Sequence, residues 1–327
     1  MKNKRLILPI LAFLFVSVAC QLTAGMAQPT AAPTHTVQIF PTETAFPSVT
    51  PDLDETQPIT LQPSATVALA AITPEMLLNH EYQLPDSGKK ASMKDGKYQS
   101  GEGVDYIYAA VSNVMAFGDI NADGRPDAAV VLSENMGGSG VFESLVVILN
   151  EGKGLAQGPA IPLGDRVLVQ AMRIEKSRII LDLVVHGPND PLCCPNQPQT
   201  QSYALASGLL LLTRVTSLTL EQQERSIHIE NPKDQEKVSS PIEVHGSLTI
   251  TPFENTLAYI ILDPAGVELK TGSFIIPNAQ AGSPTNFVAS IPLDNMPPGS
   301  RFWLQIQELS PADGSILALE SVELVIQ

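Results

Sequence analysis

From Val111 onward the chain is cut into short Val-, Ile- and Leu-rich runs, and clusters of turn residues stand in the breaks: Gly137-Gly138-Ser139-Gly140, Glu151-Gly152-Lys153-Gly154 and Ser207-Gly208. Parallel strands need a crossover of a dozen or more residues, whereas antiparallel neighbours are joined by a tight turn. The pattern therefore predicts a mostly β protein made of antiparallel hairpins. A first β-rich (α+β) domain is expected over 72–217, with strands at Val111–Phe117, Asp127–Leu132, Phe142–Leu149, Val167–Ile174, Arg178–Val185 and Leu209–Val215. Thr73-Pro74-Glu75 ahead of Met76-Leu77-Leu78 supplies an N-cap, a proline at the first helical position and an acidic first turn. One short helix should open the domain.

A second domain is expected over 225–327. It offers seven strand-like segments: Ser226–Glu230, Ile242–Ile250, Leu257–Asp263, Val267–Phe274, Phe287–Pro292, Phe302–Glu308 and Leu317–Ile326, with Asp263-Pro264-Ala265-Gly266 as a turn. Seven short strands in about a hundred residues argue for an immunoglobulin-like β-sandwich. This part contains no cysteine, so its core must hold it together. Pro232, Val238-Ser239-Ser240-Pro241-Ile242, Val244 and Gly246 resemble the opening of the Ig-like domain of bacterial spore-germination proteins. Phe253-Glu254, Asp263 with Gly266, and Ser310-Pro311-Ala312-Asp313-Gly314-Ser315 agree with it. The resemblance implies a secreted, non-catalytic β-sandwich appended to other extracytoplasmic domains, without implying sporulation.

The first seventy residues read differently. Lys2, Lys4 and Arg5 precede an apolar run from Leu6 to Ala19, the make-up of a secretory leader over 1–19. That run is shorter than the ~20 apolar residues a spanning helix needs. Cys20 directly after Ala19 resembles the lipobox of bacterial lipoproteins, and the resemblance implies that Cys20 is lipidated and becomes the mature N-terminus. Residues 20–71 are rich in Thr, Pro and Ala and show no period that could bury a face, so a disordered, semi-extended tether is expected. Removal of Lys2, Lys4 and Arg5 with the leader takes the formal charge from −15 to −18. So acidic a chain excludes nucleic acid as a partner and leaves membrane attachment to the lipid.

The sharpest chemical motif is Asp119-Ile120-Asn121-Ala122-Asp123-Gly124-Arg125-Pro126-Asp127. Oxygen-bearing side chains at positions 1, 3, 5 and 9, with Gly at 6, suit a hard cation in a tight loop. Asp119, Asn121, Asp123 and Asp127 are the expected ligands of a structural Ca²⁺. Val130 stands where an EF-hand carries its bidentate carboxylate, and a strand follows in place of a helix. The motif looks like the calcium loops of integrin-type propeller repeats, but it occurs once, which excludes a propeller. An ion-free Asn/Asp/Gly turn is the alternative.

Cys193 and Cys194 are adjacent in the loop His186–Pro195. A vicinal disulfide or two free thiols are expected, and a thiolate metal site with His186 and Asp190 lacks the usual CxxC spacing. Gly137-Gly138-Ser139-Gly140-Val141 lacks the final glycine and the helix of a nucleophile elbow. No two of the five histidines are spaced as a zinc pair. The sequence points to a non-enzymatic cell-envelope lipoprotein that binds or scaffolds an envelope protein or a glycan. One alternative is an envelope enzyme or accessory whose site forms where loops 119–127 and 186–194 converge. Another is a calcium- or redox-responsive sensor.

Overall fold

The computed structural model describes residues 71–293 and 296–327. The leader, Cys20 and the tether as far as residue 70 lie outside the described residues. All described residues belong to one compact unit.

Helix α1 (Pro74–Leu78) forms where its capping signals predict it. The Thr73 hydroxyl accepts the Met76 N–H at 3.4 Å, and Leu77 turns into the core. Strands β1 (Glu81–Gln83) and β2 (Lys90–Ser92) make a small hairpin beside it. A five-stranded antiparallel sheet follows in chain order: β3 (Lys97–Ser100), β4 (Ile107–Gly118), β5 (Asp127–Asn135), β6 (Phe142–Asn150) and β7 (Leu155–Asp165). A second meander contains β8 (Leu168–Glu175), β9 (Arg178–Val185), β10 (Gln197–Ala206) and β11 (Leu209–Leu218).

These elements stack in three layers, which explains the unbroken apolar run of β5. Ala128, Val130 and Leu132 face the layer of α1 and the β1–β2 hairpin, packing with Leu77, Tyr82 and Leu84. Ala129 faces the β8–β11 meander and packs with Leu145, Val147, Ile179 and Leu181. A strand covered on both sides loses the polar half of its alternation. Besides the short β1, β2, β3, β12 (Glu224–Arg225) and β14 (Lys237–Val238), two long strands lie outside the sequence expectation. β7 carries Gly158, Pro159, Pro162 and Gly164, tolerable because it is the edge of its sheet. β10 starts as Gln-Pro-Gln-Thr-Gln, a polar run that reads as loop.

The second module contains β12 (Glu224–Arg225), β13 (Ile227–Asn231), β14 (Lys237–Val238), β15 (Ile242–Leu248), β16 (Thr256–Leu262), β17 (Glu268–Ile275), β18 (Thr285–Ile291), β19 (Arg301–Leu309) and β20 (Ile316–Ile326). The seven expected strands are all present. Sheet β13-β15-β18 faces β17-β16-β19-β20 across a core that includes Ile229, Val244, Phe287, Phe302, Leu304 and Ile306.

Each module has its own core, and the two also share a sheet. β11 pairs with β20 through Arg214↔Glu320 and Val215↔Leu319, so one sheet runs in the order β17-β16-β19-β20-β11-β10-β9-β8. The β10–β11 hairpin lies over the outer face of the sandwich, where Ala204, Ala206 and Leu211 pack with Ile260, Leu262 and Trp303. Gln305 Nε2 donates to the Leu212 carbonyl at 2.8 Å, Ser217 Oγ to the Leu317 carbonyl at 2.7 Å, and Ser321 Oγ to the Thr213 carbonyl at 3.1 Å. The Arg178 guanidinium sits 5.7 Å from the Trp303 ring centroid. Trp303, Gln305 and Gln307 point away from the sandwich core and yet are buried, because the first module covers them.

Candidate functional site

Loop 119–127 joins β4 to β5, and the register pairs Gly118 with Asp127 across its neck. Asp119 closes the first turn: its Oδ1 accepts the Asp123 N–H at 3.1 Å and its Oδ2 the Gly124 N–H at 2.9 Å. Asn121 Oδ1 also accepts the Asp123 N–H, at 3.1 Å, and Asn121 Nδ2 donates to Asp123 Oδ2 at 2.9 Å. Gly124 has φ of 82°, a conformation that favours glycine. Asp123 Oδ1 accepts the Arg125 N–H at 2.8 Å, and the Arg125 guanidinium pairs with Oδ2. That backbone bond, with the Asn121 amide and the Arg125 charge, holds the Asp123 carboxyl below its ordinary range.

Asp127 behaves differently from the other three. It is fully buried; Oδ2 accepts the N–H of Ile120 at 3.0 Å and of Asn121 at 3.4 Å, and Oδ1 accepts that of Asn150 at 2.9 Å. Its carboxylate is engaged by backbone donors and ties the loop to the β6–β7 turn. Arg125 adds a second tie through Nε to the Asn150 carbonyl at 2.6 Å, and Ser177 Oγ a third to the Asp119 carbonyl at 2.9 Å. Sequence reasoning found the four oxygen-bearing residues and missed the tie made by Arg125 within the motif, along with Asn150 and Ser177, which lie on other turns. Among the described residues no three His, Cys, Asp or Glu side chains converge as a metal cluster. Asp119, Asn121 and Asp123 are the side chains whose oxygens remain near the outer part of the loop.

Loop 186–196 joins β9 to β10, and the structure bonds Cys193 to Cys194 within it. Asp190 organises the loop: its Oδ2 accepts the N–H of Gly187 and of Asn196, each at 2.8 Å. Arg166 Nη1 donates to the Leu192 carbonyl at 2.8 Å, and the same guanidinium contacts Asp165 and the Ser139 carbonyl. This loop thus belongs with the β5–β6 turn. Ser177, in the β8–β9 turn, holds loop 119–127 at the other end of β9. The two loops stand at opposite ends of the strand, so the expectation of one site built from both is corrected. His186 keeps both ring nitrogens buried with no hydrogen-bond partner, and no convergence with the Cys pair as a metal cluster is found among the described residues.

The sandwich is the part of the chain that resembles a known family. Residues 226–315 match the immunoglobulin-like domain of bacterial spore germination, Gmad2. No curated protein and no solved structure matches the chain. In the sandwich, Gly246 is required by packing: a Cβ there would fall 2.4 Å from the His228 carbonyl oxygen and 2.4 Å from the Phe287 ring. Arg225, just before the matched segment, forms an ion pair with buried Glu308 of β19. Burial pushes the Glu308 carboxyl above its ordinary value, and the Arg225 charge opposes that rise. Phe253-Glu254 and Ser310-Pro311, both part of the resemblance, line one groove at this end of the sandwich.

Proposed function

We propose that this chain is a non-enzymatic binding or scaffolding protein of the bacterial cell envelope, anchored by acyl groups on Cys20 and displayed on the Pro/Thr-rich tether. The observation that supports the reading is the sheet shared by a Gmad2 module and its neighbour. Burial of Trp303, Gln305 and Gln307 beneath the first module turns two modules into one rigid body. A rigid body on a long tether suits presentation of a surface better than it suits closure over a substrate. The test is metabolic labelling with a radioactive fatty acid followed by membrane fractionation. Label should enter the full chain and vanish from Cys20→Ala, which moves to the soluble fraction. A Cys20→Ala chain that stays labelled and membrane-bound overturns the anchor.

Within the same reading, loop 119–127 takes a structural Ca²⁺ through Asp119, Asn121 and Asp123, while Asp127 holds the loop in place. The ion has to displace Arg125 from Asp123, so affinity is weak, on the order of 10⁻⁴–10⁻³ M. Calorimetric titration of the Ala65–Gln327 unit with Ca²⁺ checks this. Asp119→Ala should abolish the heat and Arg125→Ala should strengthen binding. No heat at millimolar Ca²⁺ with the unsubstituted unit removes the ion from the account.

A further inference from the structure

At the end of the Gmad2 module where its two loops meet, a projection and a recess share one surface. Phe253, on the Pro252–Asn255 turn, is 88% exposed. It stands at the margin of a groove of about 710 Å³ that it lines together with Ile250, Pro252, Leu309, Pro311 and Leu317. Leu309 on that wall is itself 42% exposed. An exposed aromatic next to an apolar recess marks a surface that something covers. Charge is arranged in the same way. Glu254 follows Phe253 on the projecting turn and lines the groove with it, as do Arg225, with 22% of its side chain exposed, and its buried partner Glu308. The contact of Arg225 with Glu308 occupies part of a guanidinium that has five donors.

A twofold interface requires that one patch offer both the projecting group and the recess that receives it, since each copy meets the other through the same residues. We propose that this patch is a twofold contact with a second copy of the chain. Phe253 of each copy enters the groove of the other, and Glu254 of each meets Arg225 across the interface. The self-complementary charge selects a second copy over an uncharged apolar partner. One aromatic anchor and one ion pair in each direction make a weak contact in solution. Confinement of neighbouring chains at a surface raises their effective concentration toward the millimolar range and completes it. The contact is built from the folded unit alone, so it stands or falls separately from lipidation of Cys20.

Sedimentation equilibrium of the Ala65–Gln327 unit, from about 1 µM to about 1 mM, tests it. The expected result is a monomer–dimer equilibrium that weakens as salt is raised. Phe253→Ser and Glu254→Arg should each weaken it by about tenfold or more with unchanged circular dichroism, because both side chains belong to an exposed turn. Phe253→Cys should give a cross-linked dimer with a short bis-maleimide, since Cys193 and Cys194 are bonded to each other. A monomer throughout the range overturns the proposal. So does a dimer indifferent to both substitutions, because the copies would then meet through another face.

Discussion

Glu143 and Asp127 show how differently one kind of side chain can be used. Glu143 accepts the Ser133 hydroxyl at 2.9 and 2.7 Å, and burial pushes its carboxyl above the ordinary value of 4.5 despite that bond. The folded state then holds the proton more tightly than the unfolded one. Stability is lost as pH rises from about 4.5 through the raised native value. Glu143→Gln should therefore gain on the unsubstituted protein across that window and keep a constant advantage above it, as read by urea unfolding at a series of pH values. A difference that is flat or reversed with pH contradicts the assignment. Asp127, by contrast, accepts three backbone N–H donors and pins its loop. In sequence it is indistinguishable from a ninth-position calcium ligand. The loop motif was legible because oxygen side chains and glycine recur at fixed spacing. The inward turn of Asp127 was not, because it depends on Asn150, a residue 23 positions away.

At the scale of the element, apolar alternation carried most of the information. The seven sandwich strands were readable because one face of each meets a single core, so residues such as Ile227 and Ile229, or Val244 and Leu248, recur with the strand period. β7 and β10 were not readable, each for its own reason. β7 is a sheet edge where proline costs no ladder bond, and β10 presents glutamines that hydrogen-bond one another and the next module. Gln201 Nε2 donates to Gln199 Oε1 at 2.8 Å, and Gln199 Nε2 to the Ile316 carbonyl at 3.2 Å. A polar strand of that kind becomes visible only when its partner is in place. Packing across β13, β15 and β18 yields a second prediction. Gly246→Ala puts a methyl group against the His228 backbone and the Phe287 ring, where the backbone contact cannot yield by rotamer change. It should cost about 1–3 kcal/mol. Chemical unfolding measures it, and a loss below a few tenths would mean that β13 and β15 can part there freely.

For the whole molecule, the decisive feature is the seam between modules. The sequence reading puts a boundary between 217 and 225, where a short connection turns β11 back into β12, its own ladder partner. What it could not reveal is that Trp303 is an outward-facing sandwich residue used as an inter-module anchor, since an aromatic in a strand reads as core on either face. Trp303→Ala removes the indole from the cluster with Leu262 and Leu211 and leaves Arg178 without its ring. The expected loss is about 3–5 kcal/mol. It should appear as a single thermal transition splitting into two, because each module keeps its own core while their coupling is cut. One transition with an unchanged midpoint would mean that the seam contributes little.

The seam is also where the molecule is thinnest to a mechanical load. Only two residue pairs form the ladder between β11 and β20, against nine between β19 and β20. Tension entering at Ile72 and leaving through the far end of the sandwich loads that short ladder together with the Trp303 cluster and the side-chain bonds beside it, so this seam would give way before either core unravels. Trp303 is the one tryptophan of the chain. Yielding would bare it to water, and its fluorescence would shift to the red: the joint that fails first carries its own strain gauge.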